Sequence, residues 1–535
     1  FPTKYQDAFY VLDWSWGKLY AVHLKPDGAS YMATKEDFIT GAPLPITDLI
    51  IHPKDGGMYF AIGGRRVQSG LYRVTYTGDE DTTPAPSASS TPSKLVQLRR
   101  ELESFHGKQS PAAVGKAWEY LDHKDRHISW AARIILEHQP VSEWAEKALR
   151  ESAPEKQLPA LMTLARVSES GPAHRANAGG KINAEMRNKI IEALLKIDYA
   201  KLSQQEKLVH LRTLQIVLHR AGDPAKDSID ALVALLDPAL PADNFSENWL
   251  LLETLAHLQA PNTAKKGMAL IAGAIGQEQQ MQHARSLRFL KTGWTPKLRE
   301  AQLNWFLRAS NYKGGASFDK FIEFIRTDSL ATFTDAEKKQ HAELIAKKAE
   351  KKSAIENVGA IFAGRTPKMW TLDELSAASK KKGAMSGRDF VNGRKMFSAA
   401  ACYACHRFEN EGGMTGPDLT GSGGRYSPHD LLDQIINPSK EINEQFAPIV
   451  VTKNNGEVAS GVVVNLNGDN VTLNTDVSNP NQRVNIDRKE VKSLEVSKVS
   501  PMPPMLLSML TEDEVMDLVA FILSGGDKNN EMFKK

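Results

Sequence analysis

The stretch "AACYACHRFENEGGMTGPDL", residues 400–419, decides how this chain is read. In 535 residues there are two cysteines, Cys402 and Cys405, and His406 follows directly behind them. Three chemistries use a C-x-x-C-H pattern. Structural zinc takes four ligands, normally from two such pairs, and the sequence has no second pair. A thioredoxin-like dithiol expects a βαβ setting, but here a helical pattern, "GRDFVNGRKMFSAAA", precedes the motif and a Gly-rich loop follows it. The third chemistry is covalent attachment of a c-type haem. Two thioethers tether the porphyrin, and the adjacent imidazole binds the iron through Nε2.

The flanking sequence supports the third reading. A haem iron in electron transfer takes a sixth ligand, and a Met opposite His raises the potential. The stretch "VSPMPPMLLSMLTEDEVMDLVAFILSGG", residues 499–526, offers Met502, Met505 and Met509 before a terminal helix. Met502 lies between two prolines, which fix the backbone and reduce the entropy lost on coordination. Met505 and Met509 suit the start of the apolar face and are expected to pack in the core. Met414 lies in the haem-side loop, too close to the proximal face. His429 is the rival ligand, with an exposed first-turn position as its ordinary role. It opens "SPHDLLDQIINPSKEI", where Ser427 is the expected N-cap, Pro428 is N1 and Asp430 is N3.

His406 and Met502 are 96 residues apart, more than a minimal haem domain needs. The excess is a β pattern over about 448–497, with turns at Asn455-Gly456 and Asn467-Gly468. It predicts a small β-barrel or sheet inserted in an otherwise all-α haem domain spanning 387–535.

Residues 1–80 alternate short aromatic and β-branched runs with Gly, Asp and Pro turns, a rhythm that suits β-propeller blades. A blade needs roughly 40–50 residues, so the segment holds under two. The rest of such a propeller is expected to lie outside this chain; the alternative is a small independent sheet. Residues 81–94 are a Pro/Ser/Thr linker. Residues 95–365 read as helices in tandem, an α-solenoid resembling HEAT repeats. In "SQQEKLVHLRTLQIVLHRAG" Ser203 and Glu206 form a capping box, and Gly222 suits the end. Residues 366–386 read as a second linker.

Composition excludes several classes. The formal charge is +3, with 41% apolar and 24% charged residues, as in ordinary globular chains. No dense basic patch with interleaved aromatics points to nucleic acid, and no apolar run has membrane-span length. The chain opens on Phe1, from which a removed signal peptide or a longer parent is expected.

The loop "GGMTGPDLTG" resembles the Gly-Pro loop of class I cytochromes c, which implies that the Pro417 carbonyl holds the second nitrogen of His406. Gly393 and Phe397 resemble first-helix positions that pack on the last helix near Leu518 and Phe521. Taken together, the chain resembles the haem-binding, membrane-bound-dehydrogenase-like propeller proteins of planctomycetes and verrucomicrobia. Residues 41–76 resemble the last blade of their propeller, and "VSPMPP" resembles their S-x-M-P motif, which implies Met502 as axial ligand. The resemblance implies one haem c on Cys402, Cys405 and His406, and an electron-transfer role toward a redox partner protein or external acceptor. It implies a periplasmic or extracellular location. PQQ and calcium would belong to the absent propeller part. The alternatives are a quinoprotein-type sugar or alcohol dehydrogenase in the full-length parent, and a redox-sensing scaffold. Arg65 and Arg66 are candidate ligand contacts at a propeller mouth, or charges on an exposed turn.

Overall fold

The protein is described by a computed structural model covering all residues except 15–16, 41–43, 65–66, 85–91, 173–181, 275, 313–317, 349–361, 363, 410, 414, 425, 444–445, 468–469, 477–481 and 535. Arg65, Arg66, Met414 and Gly468 therefore lie outside the described residues. The chain is a mixed helical and sheet protein of several parts.

The N-terminal strands are β1 (Phe9–Asp13), β2 (Lys18–Asp27), β3 (Ser30–Thr40), β4 (Ile46–Ile51), β5 (Met58–Gly64) and β6 (Val67–Val74). They form two antiparallel three-stranded sheets, β1-β2-β3 and β4-β5-β6. Alternation sends Leu19 from one sheet and Ile46, Met58 and Phe60 from the other into a shared core. Among the described residues the sheets are small and none closes into a propeller or barrel. Where sequence rhythm suggests blades, the chain supplies two three-stranded sheets with open edges. The β2–β3 turn docks on the helical part: Asp125, the N-cap of the Arg126–Glu137 helix, accepts from Ala29 N at 2.7 Å.

From Lys94 to Ala346 the elements are helices, with short 3₁₀ turns between some of them. The Gln204–Ala221 helix begins with the capping box of Ser203 and Glu206 and ends at Gly222, whose φ of 72° favours glycine. One hydrophobic cluster runs through these helices from Leu102 to Ile325. Arg299 is fully buried within it, stacked on Trp294 and Phe333 and paired with Glu337 at 3.0 Å.

The stretch 366–386 is not a bare linker. It contains the Leu372–Lys380 helix, started by a capping box between Thr371 and Glu374. Leu375 and Ala378 are buried in the next core. Its Ser- and Lys-rich composition reads as a linker because only one face is apolar. Arg365 also clasps Glu514 with two bonds, at 2.6 and 3.0 Å.

The haem-motif part follows: the Phe390–Ala399 helix, the single turn Cys402–Cys405, a small hairpin β7 (Arg407–Phe408) and β8 (Glu411–Gly412), and the Pro428–Ile436 helix. Ser427 and Asp430 form the expected capping box, with Pro428 in the first turn. Then come β9 (Ile449–Lys453), β10 (Val458–Asn467), β11 (Asn470–Asn474), β12 (Arg483–Asp487) and β13 (Val491–Val496). They make one open sheet in the order β12-β11-β10-β9-β13, not a barrel. Its own small core is Ile449, Val451, Val471, Leu473 and Ile486. Where it meets the helical part, Ser497 N donates to Pro448 O at 2.8 Å. The Glu512–Leu523 helix then returns to pack on the Phe390–Ala399 helix.

Candidate haem site

The crossing of these two helices fixes the platform. Gly393 sits where a side chain would run into the Asp517 carbonyl and lie 2.8 Å from Phe521 Cβ. Phe397 stacks edge-on to Phe521 at 5.8 Å and to Tyr403 at 4.5 Å, and Phe408 lies 4.7 Å from Phe521. Asp517 bonds Asp389 N at 3.1 Å and Asn392 Nδ2 at 2.9 Å, tying the start of one helix to the side of the other.

Ala401, at a left-handed φ of 58°, turns the chain out of the first helix and into the Cys402–Cys405 turn. Both cysteines are partly buried free thiols on that one turn. His406 N donates to Cys402 O at 2.9 Å and closes it. The following loop folds back beneath. Gly413 N donates to Tyr403 O, and Gly416 N to Cys405 O, each at 2.8 Å. Gly416 lets the loop come close to the ring: a Cβ there would lie 3.0 Å from His406 Cε1 and 3.1 Å from Nδ1, a tight fit that the imidazole would have to yield to. That close approach puts the next residue's carbonyl on the ring.

His406 Nδ1 lies 2.8 Å from Pro417 O. A carbonyl only accepts, so Nδ1 carries the proton and Nε2 keeps its lone pair. Burial pushes the imidazole pKa down, against the Pro417 bond, and so favours the neutral ring. Burial likewise pushes the Cys402 thiol up to about 12. Glu409, three residues on, is pushed up to about 7 by burial; Glu411 adds to the shift and Arg394 opposes it.

Met502 arrives from the other side of the sequence. It is partly buried against the same hydrophobic cluster as Cys402 and Leu419. Its N donates to Ser500 Oγ at 3.2 Å, and Ser500 N donates to Ser439 Oγ at 3.0 Å. A cleft of about 490 Å³ lies beside it, lined by Asn437, Pro438, Val499, Met502 and Pro504 among others. Met505 is 56% exposed with a φ of 66°, which corrects its expected core position: it lies in a left-handed turn ahead of the Glu512–Leu523 helix and not on that helix's apolar face. Met509 is half-buried. His429 Nδ1 is within 2.9 Å of Ser376 Oγ on the Leu372–Lys380 helix, a partner a sequence cannot show.

The donor set suits a tethered haem. Two thiols share a turn, and one neutral imidazole has its second nitrogen already held. Among the described residues no group of three His, Cys, Asp or Glu side chains could hold a bare metal ion. Thr415 Oγ1, in the proximal loop, is buried without a hydrogen-bond partner among the described residues.

The family model for cytochrome c matches residues 390–471. The chain therefore carries a C-terminal cytochrome c domain, and such a domain implies covalent haem c and haem-based electron transfer. The match runs from the Phe390–Ala399 helix into β11. It does not reach Met502 or the last helix. No curated relative matches the chain.

The sequence reading missed Arg407 and Asp418. They directly follow His406 and Pro417, and their opposite charges at that shared spacing were the available signal.

Proposed function

We propose that the chain is a c-type cytochrome with a single covalent haem, relaying electrons from a substrate oxidation elsewhere in its assembly to an external acceptor. Cys402 and Cys405 hold the haem by thioether bonds, and His406 and Met502 are its axial ligands. When bound, the haem supplies one-electron chemistry near the potential its ligands set. The chain's own residues do the rest. Pro417 accepts the Nδ1–H of His406, fixes the ring's tautomer and orientation, and raises the basicity of Nε2. The Phe397, Phe408 and Phe521 cluster keeps the platform under the motif dry. Ser500 and Ser439 anchor the loop that presents Met502.

The single supporting observation is the His406–Pro417 bond at 2.8 Å beneath a one-turn Cys402–Cys405 pair. It is what a covalently tethered, histidine-ligated haem needs before the haem arrives. The relay and the acceptor rest on the resemblance to the propeller-bearing dehydrogenase-like proteins, as does the dehydrogenase alternative. The cytochrome c match gives PQQ and calcium no support. Cytochrome c domains are typically exported, and among the described residues no helix is long and apolar enough to cross a membrane; a periplasmic or extracellular site fits this reading.

The test is a pyridine haemochrome spectrum of protein made in a host that matures c-type haem. One haem c per chain is expected. Colourless protein with both thiols open to alkylation would end the proposal.

A further inference from the structure

His406 and Pro417 each carry a charged residue directly C-terminal to them, and these two meet across the same gap. Arg407 Nε donates to Asp418 Oδ2 at 2.7 Å, and Arg407 Nη2 pairs with the same oxygen. The other Asp418 oxygen, Oδ1, accepts from Thr420 N at 2.9 Å and Thr420 Oγ1 at 2.6 Å. Leu419 N donates to Arg407 O at 2.9 Å. The peptide that carries the Pro417 carbonyl is thus gripped immediately downstream by side chain and backbone together.

A third group joins from another part of the molecule. Arg407 Nη2 donates to Glu278 Oε1 at 2.9 Å, on the first turn of the Gln277–Leu287 helix. The Arg407 side chain is 17% exposed and the Glu278 side chain 62%. Charge-assisted forked bonds to a guanidinium are roughly twice as strong as neutral ones, whereas an exposed carboxylate contributes little. Asp418 therefore does most of the holding and Glu278 adds a smaller share.

We propose that Arg407 is a positioning residue for the proximal imidazole. With Asp418 it keeps the Pro417 carbonyl on His406 Nδ1, and through Glu278 the helical part of the chain contributes to the strength of that bond. The inference rests on the reading that His406 binds haem. A tighter Nδ1–H···O bond makes the imidazole a stronger donor, so a change at Glu278, outside the cytochrome c domain, reaches the iron's ligand through two ion pairs.

The test uses the full haem-loaded chain in its ferrous state, labelled with ¹⁵N-histidine. Solvent exchange of the His406 Nδ1 proton is followed by NMR in wild type, Arg407→Gln, Asp418→Asn and Glu278→Gln. Exchange is expected to be about tenfold faster in the first two variants, whose forked pair is lost. It is expected to be about twofold faster in Glu278→Gln, which loses only an exposed pair. Amide exchange in the Glu512–Leu523 helix should stay at the wild-type rate, which separates a local loosening from general destabilisation. Asp418→Asn keeps the shape of the side chain, so it remains informative if Arg407→Gln does not fold. Haem-loaded variants whose Nδ1 proton exchanges at the wild-type rate would overturn the inference alone. A wild type that carries no haem would overturn it together with the reading beneath it, and the haemochrome spectrum tells the two failures apart.

Discussion

At the scale of single residues, the site is a set of contacts that tolerate little change. Met502 is presented by a loop whose two prolines and two serine hydrogen bonds limit its motion. On the proposed ligation, replacing it by histidine exchanges a thioether that favours ferrous iron for an imidazole that does not. Met502→His is therefore expected to keep the haem attached and lower the reduction potential, within the roughly 0.8 V that axial ligands span. Redox titration followed by the visible spectrum checks it, and an unchanged potential would reassign the ligand. Glu409 makes a different prediction. Its carboxyl is raised to about 7 by burial, from an ordinary value of 4.5. The folded chain holds that proton more tightly than the unfolded one. The stability this contributes is whole below pH 4.5, falls as pH rises, and is gone above 7, for a total on the order of 3 kcal/mol before solvent screening of the partly exposed carboxyl. Glu409→Gln should flatten this slope, read as the difference in denaturant midpoint between pH 5 and pH 8. Arg394 and Glu411, the charged neighbours that modify the burial-driven shift, stay in place in that comparison. The cysteines, His406 and the Gly-Pro loop were legible in sequence because attachment chemistry and close backbone approach demand specific residue types. Glu409 was not, because a lone Glu in a polar loop shows no sign of burial.

Among the elements, the crossing of the Phe390–Ala399 and Glu512–Leu523 helices decides whether the site exists. Helices approach this closely only where a side chain is missing, and Gly393 supplies the gap. Gly393→Ala forces a methyl group toward the Asp517 carbonyl and Phe521. It is expected to cost about 1–3 kcal/mol, seen as a lower denaturant midpoint with unchanged slope. Gly421→Ala is the control, since a Cβ there meets nothing within 4 Å; an equal loss in both would remove the crossing as the cause. The two helices were legible as a helical pattern ahead of the cysteine motif and a terminal helix after the Met-rich loop. Thr511 and Glu514 form a capping box at the start of the second. The Leu372–Lys380 helix was not legible, because it is short, rich in Ser and Lys, and stabilised by the core it leans on more than by its own pattern.

For the whole molecule, the arrangement of parts is what sequence conveys least. Strand rhythm in residues 1–80 was visible, but how strands group into sheets depends on long-range pairing, and the outcome is two three-stranded sheets. Strands β9–β13 were visible from alternation and Asn-Gly turns, yet alternation cannot tell an open sheet from a closed one. The docking contacts, Asp125 on Ala29 and Arg407 on Glu278, join residues 96 and 129 positions apart. The inserted sheet invites a direct test. It has its own core, and its two ends are joined by the Ser497–Pro448 bond. Replacing residues 449–496 by a short Gly-Ser linker is expected to leave haem attachment and the Met–iron absorption band intact, at a cost in overall stability. Loss of that band with the haem retained would show that the sheet helps to hold the ligand loop.

The rung between Ser497 and Pro448, which continues the β9–β13 ladder, has a mechanical consequence. Both stems of the sheet pass through one narrow neck, and Met502 lies five residues beyond it. A partner that gripped the sheet and tilted it would pull on a short tether ending at this methionine, with the other stem rooted near the Ser439 turn that the same loop leans on. The sheet and the ligand loop share a pivot, so force applied to the sheet has a direct path to the residue proposed to set the potential.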